Sequence, residues 1–149
     1  MNSIASLKKI LEKFSIPTAS AHCDVPCGVY EPDSMKWAAE TCVKLTEKME
    51  GLHLPEWSNL HEVLDFQNTV GRAVAVKEEY AQICKSEVLI LWADYFKPEH
   101  LERWPELHEK VWKITKQCSV VKRSVSSEEA KKLKTMVEEM AGIFMETKK

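Results

Sequence analysis

Two thiols and an imidazole lie within six residues: His22, Cys23 and Cys27, in the segment His-Cys-Asp-Val-Pro-Cys-Gly-Val-Tyr-Glu-Pro at positions 22–32. Pro26 and Gly28 bend the chain there, so these side chains can converge on one ion. Thiolate and imidazole donors suit zinc, copper, nickel or iron, whereas calcium and magnesium demand oxygen. The chemistry on offer is that of a soft or borderline metal.

How such a site is completed stays open on spacing alone. A structural zinc site takes four side-chain ligands, which here requires a further group such as His53, His61, His100 or His108. None of these is paired at ligand spacing, and a lone His is more often a surface or capping residue. A Cys23–Cys27 disulfide is another reading. A thiol redox protein is weaker, because C-x₃-C lacks the helix-capped C-x-x-C context. Another route needs no more side chains. A cut between Ala21 and His22 would give His22 a free α-amine beside the amide nitrogen of Cys23. Amine, amidate and two thiolates make a planar N₂S₂ set of the tetragonal kind that suits Ni(II) or Cu(II), with the imidazole as axial donor.

These groups need a scaffold, and the composition describes one. The chain has 149 residues, 44% hydrophobic and 30% charged, with 4 Gly and 6 Pro. That fits one all-α domain, and a chain of this size buries about 68–70% of its surface without help from disulfides or metal. Twenty-one basic residues against 23 acidic ones give a net charge of −2 and no electrostatic footprint for nucleic acid or an anionic membrane. No apolar run approaches the ~20 residues of a membrane span. A soluble protein is expected. Five cysteines form an odd set, so a reducing compartment, the bacterial cytoplasm first, is favoured over an oxidised secreted framework. Cys42, Cys84 and Cys118 read as core residues.

Residues 1–21 carry Ile4, Leu7, Ile10, Leu11 and Phe14 at helical spacing, broken up by Lys8, Lys9, Glu12 and Lys13. A short amphipathic helix is expected, as a pro-segment, a transit peptide or an ordinary first helix. From Pro32 a helix runs through Met35, Trp37, Ala38, Ala39, Cys42, Leu45 and Met49 to a stop at Gly51. A long second stripe, Leu60, Val63, Phe66, Val70, Ala73, Ala81, Cys84, Val88, Leu91 and Tyr95, predicts one helix closed by Phe96-Lys97-Pro98, with a bend at Gly71. Trp104-Pro105 marks a turn or the first turn of a third helix carrying Leu107, Val111, Ile114 and Cys118. Ser119–Ser127 reads as the last loop. Ser126 with Glu129 forms a capping box for a fourth helix through Ala130, Leu133, Val137, Met140, Ala141 and Phe144. Four amphipathic helices on short connections predict an antiparallel up-and-down four-helix bundle over 33–149, preceded by an irregular metal-binding hook at 22–32.

The nine residues HCDVPCGVY at 22–30 resemble the amino-terminal hook of nickel superoxide dismutases, whose pattern HCxxPCGxY is exposed by removal of a short pro-segment. The likeness extends to Leu91-Trp92-Ala93-Asp94-Tyr95-Phe96-Lys97-Pro98, to Pro105-Glu106-Leu107-His108 and to the end, Phe144-Met145-Glu146-Thr147-Lys148-Lys149. It implies residues 1–21 as a cleaved pro-segment, a dismutase domain at 22–149, and Ni(II)/Ni(III) cycling that converts superoxide to oxygen and hydrogen peroxide. It implies His22, Cys23 and Cys27 as nickel ligands, with the Cys23 main-chain nitrogen, a cis Val25–Pro26 peptide, and the Asp24 and Cys27 N–H groups shaping the pocket. Tyr30 and Tyr95 would stand at the entrance and hold water or peroxide. Its partners would be superoxide, a processing peptidase and sister subunits of a homohexamer. The alternative is a non-enzymatic zinc- or nickel-binding bundle that keeps residues 1–21.

Loss of residues 1–21 removes three Lys and one Glu, taking the net charge from −2 to −4. Attraction of an anionic substrate must then be local, with Lys97 the candidate. In one respect the chain departs from the resemblance. Ala38 and Tyr80 stand where many such proteins align a Glu and an Arg that orient the axial imidazole; Glu40 or Glu79 could substitute.

Overall fold

The computed structural model describes residues 28–149, which form five α-helices and no strand. They are α1 (Asp33–Glu50), α2 (Leu60–Ile90), α3 (Pro98–Arg103), α4 (Leu107–Arg123) and α5 (Ser127–Thr147), with a single π-helical turn, Leu91–Tyr95, closing α2. Helix α1 packs on α2 and α5, and α4 packs on α2 and α5, so the four long helices close an antiparallel ring. The predicted amphipathic helix within residues 1–21 lies outside the described residues.

The core is the inward face that the periodicity marks. Met35, Ala38, Ala39 and Cys42 from α1 meet Ala81, Cys84 and Val88 from α2, Ile114 and Cys118 from α4, and Leu133, Val137, Met140 and Phe144 from α5. Cys42, Cys84 and Cys118 are buried free thiols, as expected of core cysteines. Burial pushes the Cys42 thiol up to about 11, so it stays protonated and unreactive near neutrality.

Four expectations are corrected. Trp37 lies on the solvent face of α1, 68% exposed, one residue off the buried Met35–Ala38–Cys42 stripe. Leu60, at the head of the second stripe, is 71% exposed. Helix α2 has 31 residues against 18 in α1, so its first turns outrun the neighbour, and its core contacts begin only at Ala73. The helix runs unbroken through Gly71, and its irregularity falls at Leu91–Tyr95, where the Phe96 N–H donates to the Leu91 carbonyl. Finally, α4 extends through Arg123, so the last loop is Ser124–Ser126 alone.

The reason lies in how the end of α4 is satisfied. A helix leaves its last carbonyls without intrahelical donors. Here Arg123 Nε donates to the Ser119 carbonyl and Ser124 Oγ to that of Val120. The Lys77 ammonium, 1% exposed, reaches across from α2 and donates to the carbonyls of Val121, Lys122 and Ser124. Burial lowers the Lys77 pKa from its ordinary value.

At the start of α5 half of the predicted capping box is present. Ser126 Oγ accepts the Glu129 N–H at 3.3 Å, while the Glu129 carboxylate turns to Gln117 Nε2 at 2.6 Å. Asn59, unanticipated, caps α2 by accepting the His61 and Glu62 N–H groups. The short helix α3 begins on Pro98, which supplies a pre-set φ where no N–H is needed.

Candidate metal centre

His22, Cys23 and Cys27 lie outside the described residues, as do Asp24 and the Val25–Pro26 peptide. The structure describes the chain's exit from the hook and the surface it meets. Gly28 has φ +71°, in the left-handed region. A Cβ there would meet nothing within 4 Å, so the demand for glycine comes from the backbone torsion alone.

From Gly28 the chain enters a cleft of about 430 Å³ lined by Gly28, Tyr30, Asp94, Tyr95, Lys97, His100 and Thr147. Four separate parts of the fold meet here: the hook exit, the π-turn, α3 and the last turn of α5. Sequence reasoning placed Tyr30 and Tyr95 together, and the structure does so, with ring centroids 5.4 Å apart at 56°. Tyr95 belongs to the core edge as well, with its ring 4.5 Å from Phe144 and 5.3 Å from Phe96. It is half-buried, which leaves one side of the ring for packing and the other for the cleft.

Thr147 and Lys148, to which no role was assigned, each hold one tyrosine. Tyr95 Oη lies 2.6 Å from Thr147 Oγ1. Lys148 Nζ donates to the Tyr30 carbonyl and to Glu31 Oε1, both at 3.0 Å, while sitting 4.6 Å over the Phe144 ring. The sequence carried a signal only in the closing Glu-Thr-Lys-Lys run, since nothing local ties residue 147 to residue 95.

His100 stacks on Tyr95 at 5.8 Å, and its Nδ1 accepts the Lys97 N–H at 3.1 Å, so it serves the start of α3. His108 Nδ1 accepts from Trp92 Nε1 at 2.8 Å and ties the π-turn to α4. His61 pairs with Asp65 on the surface of α2. Among the described residues no group of three or more His, Cys, Asp or Glu is placed to hold a metal. Lys97 is exposed at the lip of the cleft.

Ala38 is buried in the core and Tyr80 packs at its edge. Glu40 is engaged elsewhere, 2.7 Å from Lys134 and 3.6 Å from Lys44. The hydrogen bond from Lys134 holds its carboxyl below the usual range. Glu79 is exposed on α2.

The family described as nickel-containing superoxide dismutase matches residues 17–148, a span that takes in the whole hook, both tyrosines and Thr147. The chain belongs to this family. Among relatives of the nickel superoxide dismutase family, the enzyme named Superoxide dismutase [Ni] of Streptomyces coelicolor is 39% identical over 132 residues, covering 89% of this chain and 92% of that protein. The protein of the same name from Streptomyces seoulensis is 38% identical over 130 residues, covering 87% and 90%. A native nickel superoxide dismutase structure superposes with a TM-score of 0.72 at 39% identity, covering 86% of this chain and 100% of that one. Another, with nickel ligation corresponding to the oxidised state, gives 0.71 at 38% identity and covers 85% and 98%. The all-α bundle is thus the nickel superoxide dismutase fold.

Proposed function

We propose that the chain dismutates superoxide at a nickel ion held by His22, Cys23 and Cys27 after residues 1–21 are removed. One observation carries the assignment of the site. The segment with two thiols and an imidazole ends one residue before Gly28, and Gly28 opens a cleft in whose lining the rings of Tyr30 and Tyr95 meet. The donor set fits the metal: His22, Cys23 and Cys27 would hold it, and anionic sulfur and amidate donors would suit Ni(II) and stabilise its higher oxidation state. When bound, nickel supplies the alternating one-electron acceptor and donor by which two superoxide anions and two protons become oxygen and hydrogen peroxide.

The remaining steps belong to the chain. Tyr30 and Tyr95 stand together at the mouth. Their hydroxyls hold water or product beyond the ligands. Lys97 provides positive potential at the lip of an otherwise acidic protein. Lys97→Glu is therefore expected to lower kcat/KM several-fold in dilute buffer, with the deficit shrinking toward 0.5 M salt as the charges are screened. A deficit independent of salt would remove Lys97 from this role.

A mature domain starting at His22 is proposed from the hook pattern, HCDVPCGVY at 22–30, which would begin at that residue. A processing peptidase is then a required partner. A homohexamer is the proposed assembly, supported by the large apolar residues Leu54, Trp57, Leu60 and Leu64, each at least half exposed on and beside the start of α2. No helix among the described residues is long and apolar enough to cross a membrane. A cytoplasmic location is proposed from the buried free thiols.

The protein purified from its native cell tests the scheme. Intact-mass analysis should show a chain beginning at His22, with nickel bound, a paramagnetic Ni(III) signal and dismutase activity. A full-length chain loaded with zinc and inactive would establish the non-enzymatic bundle instead.

A further inference from the structure

The hydroxyl of Thr147 has one proton and two lone pairs. Thr147 Oγ1 donates to the carbonyl of Phe144, three residues back in α5, at 2.6 Å. That bond commits its single proton. The 2.6 Å contact to Tyr95 Oη must then run the other way, with the phenol donating and Thr147 accepting. Tyr95 in turn has one hydroxyl proton, and it is committed to Thr147 in the wall of the cleft. What Tyr95 turns toward the cleft is an oxygen lone pair. Packing on Phe144 at 4.5 Å and on Tyr30 at 5.4 Å holds the ring in place, so the oxygen stays beside Thr147.

We propose that Thr147 is a positioning residue that makes Tyr95 a hydrogen-bond acceptor at the mouth of the cleft. The consequence is selectivity between charge states. An acceptor edge holds water or neutral hydrogen peroxide, which bring their own protons, and gives no hold to superoxide or another small anion, which needs a donor. Superoxide therefore passes Tyr95 without being trapped there, and the neutral product finds a partner on its way out. The inference rests on the proposed place of Tyr95 at the mouth and goes beyond it by fixing the direction of its hydrogen bond.

The experiment uses the processed, nickel-loaded protein and four variants: Thr147→Val, Thr147→Ser, Tyr95→Phe and the Thr147→Val/Tyr95→Phe double. The probe is azide, a small anion whose dissociation constant is read by calorimetry. Thr147→Val keeps the side-chain volume but frees the phenol proton to turn into the cleft. Azide should then bind about fivefold to tenfold more tightly, the equivalent of one hydrogen bond. Thr147→Ser should bind azide as the parent does, and the double variant should lose the gain. A second readout does not use the metal. In apo protein labelled at tyrosine 13Cζ, the Tyr95 resonance should shift in Thr147→Val and return in Thr147→Ser. Unchanged azide affinity and 13Cζ shift in Thr147→Val, with turnover lowered in Tyr95→Phe, would overturn the role of Thr147 while leaving Tyr95 in place. Turnover unchanged in Tyr95→Phe would overturn the reading of Tyr95 itself.

Discussion

Cys27→Ser is expected to lose nickel and at least a hundredfold in dismutase activity while its thermal unfolding stays within about 2 °C of the parent. The first half follows from softness. A serine hydroxyl is a hard donor that remains protonated near neutrality, so one of the two anionic sulfurs proposed to hold the metal would be replaced by a group that neither binds Ni(II) well nor stabilises its oxidised form. Cys23→Ser should behave alike. The second half follows from where the core lies. Among the described residues, every member of the buried cluster falls between Met35 and Phe144, on helices that pack directly on one another. The same contrast separates a catalytic site from a structural zinc module, where loss of a ligand is loss of folding free energy. Metal analysis, activity and a melting curve on the variant decide it; a melting temperature that falls steeply with the metal would overturn the catalytic reading of the hook.

Lys77→Ala is expected to act in the opposite sense, lowering stability by about 3–4 kcal/mol without touching nickel affinity per folded chain. Two losses add. The four-carbon stem is 99% buried, and its removal opens a cavity between α2 and α4. The carbonyls of Val121, Lys122 and Ser124 also lose their donor. Lys77→Met separates the two, because it refills the space and removes only the hydrogen bonds; about 1–2 kcal/mol should remain. Denaturant unfolding measures both, and equal stability of Lys77→Met and Lys77→Ala would show that packing plays no part. The pH dependence has a definite sign. Burial lowers the folded-state pKa of Lys77 below its ordinary 10.5. Between these two values the unfolded chain binds the proton and the folded chain does not, so the contribution of this group rises with pH in that window. Below it the contribution is constant, so Lys77 has no part in acid unfolding.

Lys77 also shows why some of the fold was not legible. In sequence it is one charged residue on a long helix, and Ser119–Ser127 reads as a polar loop. The helix continues to Arg123 because a lysine 44 residues upstream supplies donors to its last carbonyls, a long-range cause that no local pattern carries. The inward stripes of α1, α4 and α5 were legible, because burial follows the helical period directly. Trp37 and Leu60 were misplaced because periodicity reports which residues are apolar, whereas burial also needs a neighbour alongside. At the site, the pairing of Tyr30 with Tyr95 was legible through the family pattern. Thr147 and Lys148 were not, since their roles arise only when the end of α5 meets the hook exit.

The π-turn at the end of α2 has a consequence for how this mouth can vary. A π-turn is an α-helix holding one extra residue, and each residue of a helix advances the following ones by about 100°. Were Leu91–Tyr95 to wind as regular α-helix instead, with every residue kept, the residues at its downstream end would be turned by up to that amount. Tyr95 would then face away from Thr147, with the bundle behind it undisturbed. The placing of Tyr95 beside Thr147 is thus set by the width of one helical turn, whereas substitution along the same helix alters only which side chain stands there.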